Sequence, residues 1–267
     1  MPIENHDDLI PIEPDALLWR YMNISKFLSL LKTKSIFFCR SDMFIDPFEG
    51  TIPKKEVEAR PHTYQQICKF FNIQFRPEKF NEVESKKIDF HKRTRMGTVI
   101  NCWHIGNYES DTMWRLYLKT TEGVAIQSSP QHIFNSFQET QEPIYSSKVR
   151  YLDYDNDIWY HPTDYPIELE NSLTPFVHKR IEFSSESEFR LFHNVNDVIF
   201  YQGENYWENQ KNHFGKFIKV NVNELIEKVV FSPAMNEVDQ QKIKFKVKEL
   251  GYNFDLHKSK LKQAPYL

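Results

Sequence analysis

The chain has 267 residues, 15% of them aromatic, and its 34 basic and 37 acidic side chains leave a formal charge of −3. A chain with this many aromatic residues can bury a sizeable core. Its near-neutral charge points to neither a nucleic acid nor a membrane as partner. With 7 glycines and no GxGxxG or P-loop sequence, it lacks the signatures of Rossmann and Walker nucleotide sites.

The cysteines and the N-terminus bear on the compartment. Cys39, Cys68 and Cys102 are odd in number and widely spaced, which predicts reduced thiols instead of a disulfide frame or a zinc site. The polar N-terminus does not resemble a signal peptide, and no apolar run approaches the roughly 20 residues that a membrane span needs. We therefore expect a cytoplasmic protein with no membrane partner.

The N-terminal part begins with residues 1–16, a predicted flexible lead-in because its prolines oppose regular structure. The elements predicted next are a strand at Leu17–Met22, a helix at Ile24–Lys32 capped by Asn23, a strand at Ser35–Arg40 and a loop at Met43–Gly50. Residues 52–97 are polar with helical spacing. We interpret them as a helical insertion, since they have too few apolar residues for a core of their own.

The remaining pattern mixes strands and helices. Predicted strands follow at Thr98–His104, Gly123–Gln127, Glu188–His193, Phe217–Val220 and Lys228–Phe231. Predicted helices lie at Asp111–Leu118, at Glu168–Arg180 with a kink at Pro175, and from about Asn236 to a stop at Gly251. Without regular βαβ alternation, the order favours one α+β domain over residues 17–267, with a mixed central sheet and flanking helices.

A pair of carboxylates is the first candidate site. Alternate residues of a strand share a face, so we expect Glu186, Glu188 and Arg190 to point the same way. Neighbouring like charges raise one pKa, which suits proton transfer. The alternative is an exposed, salt-bridged strand face in which Arg190 neutralises Glu188.

Two further candidates lie near the N-terminus. Arg20 can hold a phosphate or ribose while Tyr21 stacks on a base, or Arg20 can extend along the sheet edge to water. Asp42, Asp46 and Glu49 could bind a hard metal ion in a hydrolase or nuclease, but such residues more often build turns. We expect no bound metal, and the histidines show no zinc spacing.

Several runs of the sequence are characteristic in combination. They are LWRYMNISKFLSLLKTKSIFFCRSDMFIDPFEG, INCWH, DTMWRLYLKTTEGVAI, KRIEFSSESEFRLF and IEKVVFSPAMNE. Together they resemble a bacterial family known only as a domain of unknown function. A strand ending in Arg-Tyr, then a short helix and a second strand, is also distantly similar to the opening of ADP-ribosyltransferase domains, which close their site with a Glu-x-Glu pair.

The resemblance implies an ADP-ribosyltransferase-like fold and NAD as the substrate. Arg20 would hold the adenosine side of NAD, and Tyr21 would pack near the dinucleotide. Glu188 would stabilise the oxocarbenium-like transition state, while Glu186 positions or deprotonates a protein or nucleic-acid acceptor. His104 stands where many such enzymes have Ser or Thr.

These expectations leave three readings open. Trp114 and Tyr117 complete the predicted NAD contacts of a transferase or NAD glycohydrolase, which the family analogy would make a toxin or phage-defence effector. The first alternative is the metal-dependent hydrolase. The second is a non-catalytic module that binds a nucleotide or peptide in an aromatic groove around Trp103, Trp114 and Tyr117.

Overall fold

A computed structural model describes residues 3–4, 9–118, 122–159, 172–263 and 265. The strands are β1 (Ile3–Glu4), β2 (Leu18–Asn23), β3 (Ser35–Arg40), β4 (Thr98–Ile105), β5 (Gly123–Ser128), β6 (Ile144–Lys148), β7 (Arg150–Leu152), β8 (His178–Arg180), β9 (Glu188–Asn194), β10 (Gly215–Lys219), β11 (Lys228–Phe231) and β12 (Leu256–His257). The α-helices are α1 (Ile24–Thr33), α2 (Lys54–Phe70), α3 (Pro77–Gly97), α4 (Asp111–Tyr117), α5 (Pro130–Ser136), α6 (Asn205–Glu208), α7 (Val222–Leu225) and α8 (Glu237–Glu249). Helices packed on a mixed sheet confirm the predicted α+β class.

The main sheet runs in the order β1-β6-β9-β4-β2-β5-β11-β12, and it forks at β4. The His104 end of β4 pairs with β2, whereas its Val99 end pairs with β3, which in turn pairs with β10. On its other side β4 pairs with β9 along its length, from Thr98 opposite Asn194 to His104 opposite Glu188. The strands of Arg20 and Glu188 are therefore in one sheet, with only β4 between them.

One face of this sheet carries the main hydrophobic core. Strand residues such as Leu18 and Trp103 pack there against α1, α5 and α8. Asn23 caps α1 by accepting a hydrogen bond from the backbone NH of Lys26 at 2.9 Å, as predicted. Alternation along the strands sends the neighbouring side chains, including Glu188, to the opposite face, which we call the site face.

Two predicted segments differ in the structure. Residues 3–4 of the lead-in form a strand parallel to β6, and Ile10 continues along it, because the outer edge of β6 offers unpaired backbone groups. Of the helix predicted at Glu168–Arg180, residues 168–171 lie outside the described residues. Residues Thr174–Phe176 form a 3-10 turn and His178–Arg180 form β8, which pairs with β7.

Candidate active site

A chain of ion pairs lies buried on the site face. Both oxygens of Glu49 accept hydrogen bonds from Arg190, at 2.7 and 2.9 Å. Arg190 Nε donates to one oxygen of Glu188 at 2.5 Å, and Lys179 Nζ donates to the other at 2.6 Å. Lys179 also donates to Glu186 at 2.7 Å. We call these residues the ionic chain.

One end of the ionic chain is fully buried, and solvent reaches the other end. The side chains of Glu49 and Arg190 are fully buried, that of Glu188 is 3% exposed and that of Glu186 is 15% exposed. Three carboxylates face two cations, so full ionisation leaves one negative charge in a poorly hydrated place. Burying an uncompensated charge is costly, which favours a proton on one carboxyl group, and Glu186 is the member that solvent reaches best.

Glu186 and Glu188 have different pKa values because their surroundings differ. Burial, together with the hydrogen bond to Glu188 and its negative charge, raises the pKa of Glu186 from 4.5 to about 7. Burial also acts to raise the pKa of Glu188, but Arg190 and Lys179 outweigh it and hold that pKa well below 4.5. Near neutral pH, Glu186 can therefore exchange a proton while Glu188 stays ionised.

The local backbone brings these two carboxyl groups together. Glu186 ends a 3-10 turn, Ile181–Glu186, and Ser187 then adopts a left-handed conformation with φ of 40° before β9 begins at Glu188. A positive φ is uncommon for residues other than glycine. We predicted that a strand would align the two glutamates, but a kinked turn directs both of them onto Lys179 instead.

His104 fixes the turn from the neighbouring strand. Its Nδ1 lies 2.7 Å from the carbonyl oxygen of Glu186. A carbonyl oxygen only accepts, so Nδ1 must carry the proton, and in the neutral ring Nε2 holds the lone pair. His104 also pairs with Glu188 across the β4–β9 ladder. It therefore lies beside the carboxyl pair and contacts it through the main chain, while its contact with NAD stays a prediction.

Tyr117 is the predicted aromatic residue that is both exposed and close to the acids. Its side chain is 47% exposed. Burial of its hydroxyl raises the pKa of Tyr117, and the charges of Glu188 and Glu186 raise it further. Because about half of the side chain is exposed, Tyr117 offers a surface on which a planar ligand can stack.

Tyr21 and Trp114 lie on the site face but inside its packing. Both are buried, and their rings meet edge to face at 4.8 Å. The Tyr21 hydroxyl accepts from the backbone NH of Ser110 at 2.7 Å, and Trp114 Nε1 donates to Glu109 at 3.0 Å. Packing of α4 against β2 and β5 covers both rings, and their contact with a dinucleotide stays a prediction.

Arg20 occupies the fork of the sheet. Residues two apart in a strand share a face, and both Leu18 and Met22 belong to the main core. The strand position of Arg20 therefore faces the main core and not the site face. Its guanidinium donates to the carbonyl oxygens of Cys102 at 3.1 Å and Phe37 at 3.3 Å. Arg20 satisfies carbonyl groups where β2 and β3 separate, and its predicted role in holding NAD beside Glu188 stays a prediction.

The predicted metal ligands are held apart by arginines. Asp42 pairs with Arg40 at 2.7 Å, Asp46 with Arg180 at 2.8 Å, and Glu49 with Arg190. Asp46 also accepts from the backbone NH of Phe48 at 3.0 Å, which confirms that the loop is a braced turn. In the described part of the chain, no three His, Cys, Asp or Glu side chains converge as metal ligands would.

Gly50 explains how Glu49 reaches the interior. Its φ of 67° lies in the left-handed region, and a Cβ atom there would meet the Phe176 ring at 2.4 Å. Glycine is therefore required for the chain to turn against Phe176, whose carbonyl oxygen also accepts from Arg190 at 2.9 Å. Sequence reasoning placed Glu49 in a turn-building loop, with metal binding as the alternative, and missed Arg190 because partners 141 residues apart leave no local pattern.

Lys179 and Tyr151 are site residues that the sequence did not single out. The Tyr151 hydroxyl accepts from the backbone NH of Glu188 at 2.9 Å. Lys179 is 5% exposed, which is unusual for lysine and requires partners of opposite charge. The lone available signal was its position at the start of KRIEFSSESEFR.

These features define an α+β protein with a buried ionic chain that ends in two closely coupled carboxyl groups. Residues 113–191 match the family model named Protein of unknown function (DUF2971). The matched stretch contains Tyr117, Lys179, Glu186, Glu188 and Arg190. This match confirms the resemblance to a family of unknown function.

No curated protein and no solved structure matches the chain. Among the described residues, no helix is long and apolar enough to cross a membrane.

Proposed function

We propose that this protein is an NAD-using ADP-ribosyltransferase or NAD glycohydrolase whose chemistry takes place at Glu186 and Glu188. One observation carries the proposal. Two carboxyl groups share Lys179, and their surroundings give them separate pKa values, about 7 for Glu186 and well below 4.5 for Glu188. Carboxyl pairs separated in this way are suited to divided acid–base and electrostatic roles.

The reaction needs both roles. The bond between ribose C1′ and the nicotinamide nitrogen breaks, its electron pair goes to the ring nitrogen, and positive charge develops on the sugar. The ionised Glu188 stabilises that charge electrostatically. An acceptor hydroxyl or water then bonds to C1′ and gives its proton to the ionised fraction of Glu186, whose pKa lies near the working pH.

The substrate contacts differ from those that the resemblance implies. Tyr117 is half exposed, and its hydroxyl responds to the charges of both acids, so Tyr117 is assigned the stacking contact with nicotinamide. His104 orders the turn of Glu186. Arg20, Tyr21 and Trp114 support the fold around the site. A role as a toxin or phage-defence effector, with a protein or nucleic-acid acceptor, rests on the resemblance alone.

The test is release of nicotinamide from NAD by the purified protein, with water, protein and nucleic-acid acceptors supplied. Glu188→Gln keeps the shape but removes the charge, so turnover should fall by roughly a few hundredfold, equivalent to about 3–4 kcal/mol. Glu186→Gln should lose the rising limb of the pH–rate profile near neutrality. Glu182→Gln, at an exposed position on the same turn, is the matched control and should behave like the wild type.

Two results would count against this function. If the wild-type protein neither binds NAD nor releases nicotinamide with any acceptor, the NAD-using enzyme is excluded. If it binds NAD or another nucleotide without turnover, and Glu188→Gln binds equally well, a non-catalytic binding module replaces it.

A further inference from the structure

Glu49 lies at the far end of the ionic chain from Glu186, and neither a turn nor a metal explains its burial. Its carboxylate is fully buried, and each oxygen accepts from a different nitrogen of Arg190. Such bidentate contacts fix direction as well as charge. The loop at Asp46–Gly50 thus holds one specific carboxylate against the arginine of β9.

Arg190 transmits that orientation to the reacting end. Its Nε is directed at Glu188, while one terminal nitrogen also donates to the carbonyl oxygen of Phe176 at 2.9 Å. With these donors engaged, the guanidinium has little freedom to rotate. Each oxygen of Glu188 faces a cation, one from Lys179 and the other from Arg190.

We propose that Glu49 and Arg190 are positioning residues for the carboxyl pair: they fix Glu188 as its ionised member and leave the exchangeable proton on Glu186. This inference rests on the proposed function only in giving the proton a catalytic use. The arrangement itself follows from the contacts and from the excess of one carboxylate over the cations in the ionic chain.

The groups around Glu186 come from several elements. Apart from its own turn, which carries the exposed Glu182, they are Lys179 and Arg180 of β8, Glu188 of β9, His104 of β4, Tyr151 of β7 and Tyr117 of α4. Arg180 is paired with Asp46. Glu49 makes no direct contact with Glu186 among the described hydrogen bonds and ion pairs, so any effect of Glu49 on its proton must be transmitted through the ionic chain or its electric field.

The experiment follows the titration of Glu186 by NMR in protein labelled with ¹³C at the glutamate carboxyl carbon. The resonance is assigned by its loss in Glu186→Gln. In Glu49→Gln one negative charge disappears from the ionic chain, so Glu186 should ionise more easily and its midpoint should fall by about one pH unit. Glu49→Asp, which keeps the charge, should return the midpoint toward the wild-type value.

Asp42→Asn is the matched control. Asp42 lies just before the same loop but pairs with Arg40, which is not among the groups around Glu186, so its loss should leave the Glu186 midpoint in place. If Glu49→Gln folds, as judged by circular dichroism, and the midpoint does not move, Glu49 has only a structural role and the inference fails. The titration needs no substrate, so failure of the NAD assay leaves this test intact.

A second variant covers the case in which Glu49→Gln does not fold because Arg190 is left without a partner. Combining Glu49→Gln with Arg190→Met removes both buried charges together, which proteins often tolerate. Glu188 is the more deeply buried carboxyl group and would then have only Lys179 as a cation. Its midpoint should rise above that of Glu186. If Glu186 keeps the higher midpoint, the inference is overturned.

Discussion

The raised pKa of Glu186 predicts how the stability of the whole protein depends on pH. A carboxyl group whose pKa is higher in the folded state binds more protons folded than unfolded, so the free energy of unfolding decreases as pH rises through that window. Here the window runs from 4.5, the ordinary value, to about 7. At about 1.4 kcal/mol per pKa unit, full ionisation of Glu186 costs roughly 3 kcal/mol.

Glu186→Gln isolates this contribution. Glutamine resembles the protonated acid: it can accept from Lys179 and donate to Glu188, but it cannot ionise. We expect the free energy of unfolding of the variant to exceed that of the wild type by about 1 kcal/mol at pH 5 and by roughly 3 kcal/mol at pH 8.

The measurement is urea unfolding at several pH values between 5 and 8 for the wild type, Glu186→Gln and Glu182→Gln. Plotting the difference between variant and wild type removes the pH dependence of all other groups. The Glu182→Gln difference should stay flat. If the Glu186→Gln difference is also flat across this range, the proton is not held at Glu186 and the charge argument for the site is wrong.

Two other predictions concern Arg20 and the loop of Asp46. Arg20→Met leaves the carbonyl oxygens of Cys102 and Phe37 without its donors, so urea unfolding should show a loss of about 1–3 kcal/mol. NAD affinity of the folded fraction should be unchanged, and weaker binding at unchanged stability would restore the phosphate-binding role. Calorimetric titration with magnesium or manganese should show no saturable binding, whereas binding that Asp46→Asn abolishes would support a metal-dependent hydrolase.

Helix ends that are marked by a capping residue or a glycine were predictable from the sequence. Asn23 caps α1 and Asn236 caps α8, because a short side-chain acceptor at an N-terminus is recognised by the residues immediately after it. The end of α8 was marked in the same local way by Gly251, which has φ of 84°. Short-range chemistry of this kind is written in consecutive residues.

The candidate site, too, was predictable only where its signals were local. Glu186 and Glu188 were recognised from their spacing, but the spacing implied an open strand face. Of their buried partners, Arg190 was recognised from the same alternation, whereas Lys179 was visible only as one of 34 basic residues. Nothing local indicated which of these charges would be excluded from water.

The sequence by itself determined the α+β class, most strand positions and the carboxyl pair, because alternation and capping act within a few residues. Tertiary structure alone decided that β4 forks the sheet, which made Arg20 a partner for the carbonyl groups of two other strands. It also joined Glu49 to Arg190 across 141 residues. The physical reason is that burial and Coulomb energy depend on distances in space. For residues far apart in the sequence, those distances are set only when the sheet assembles.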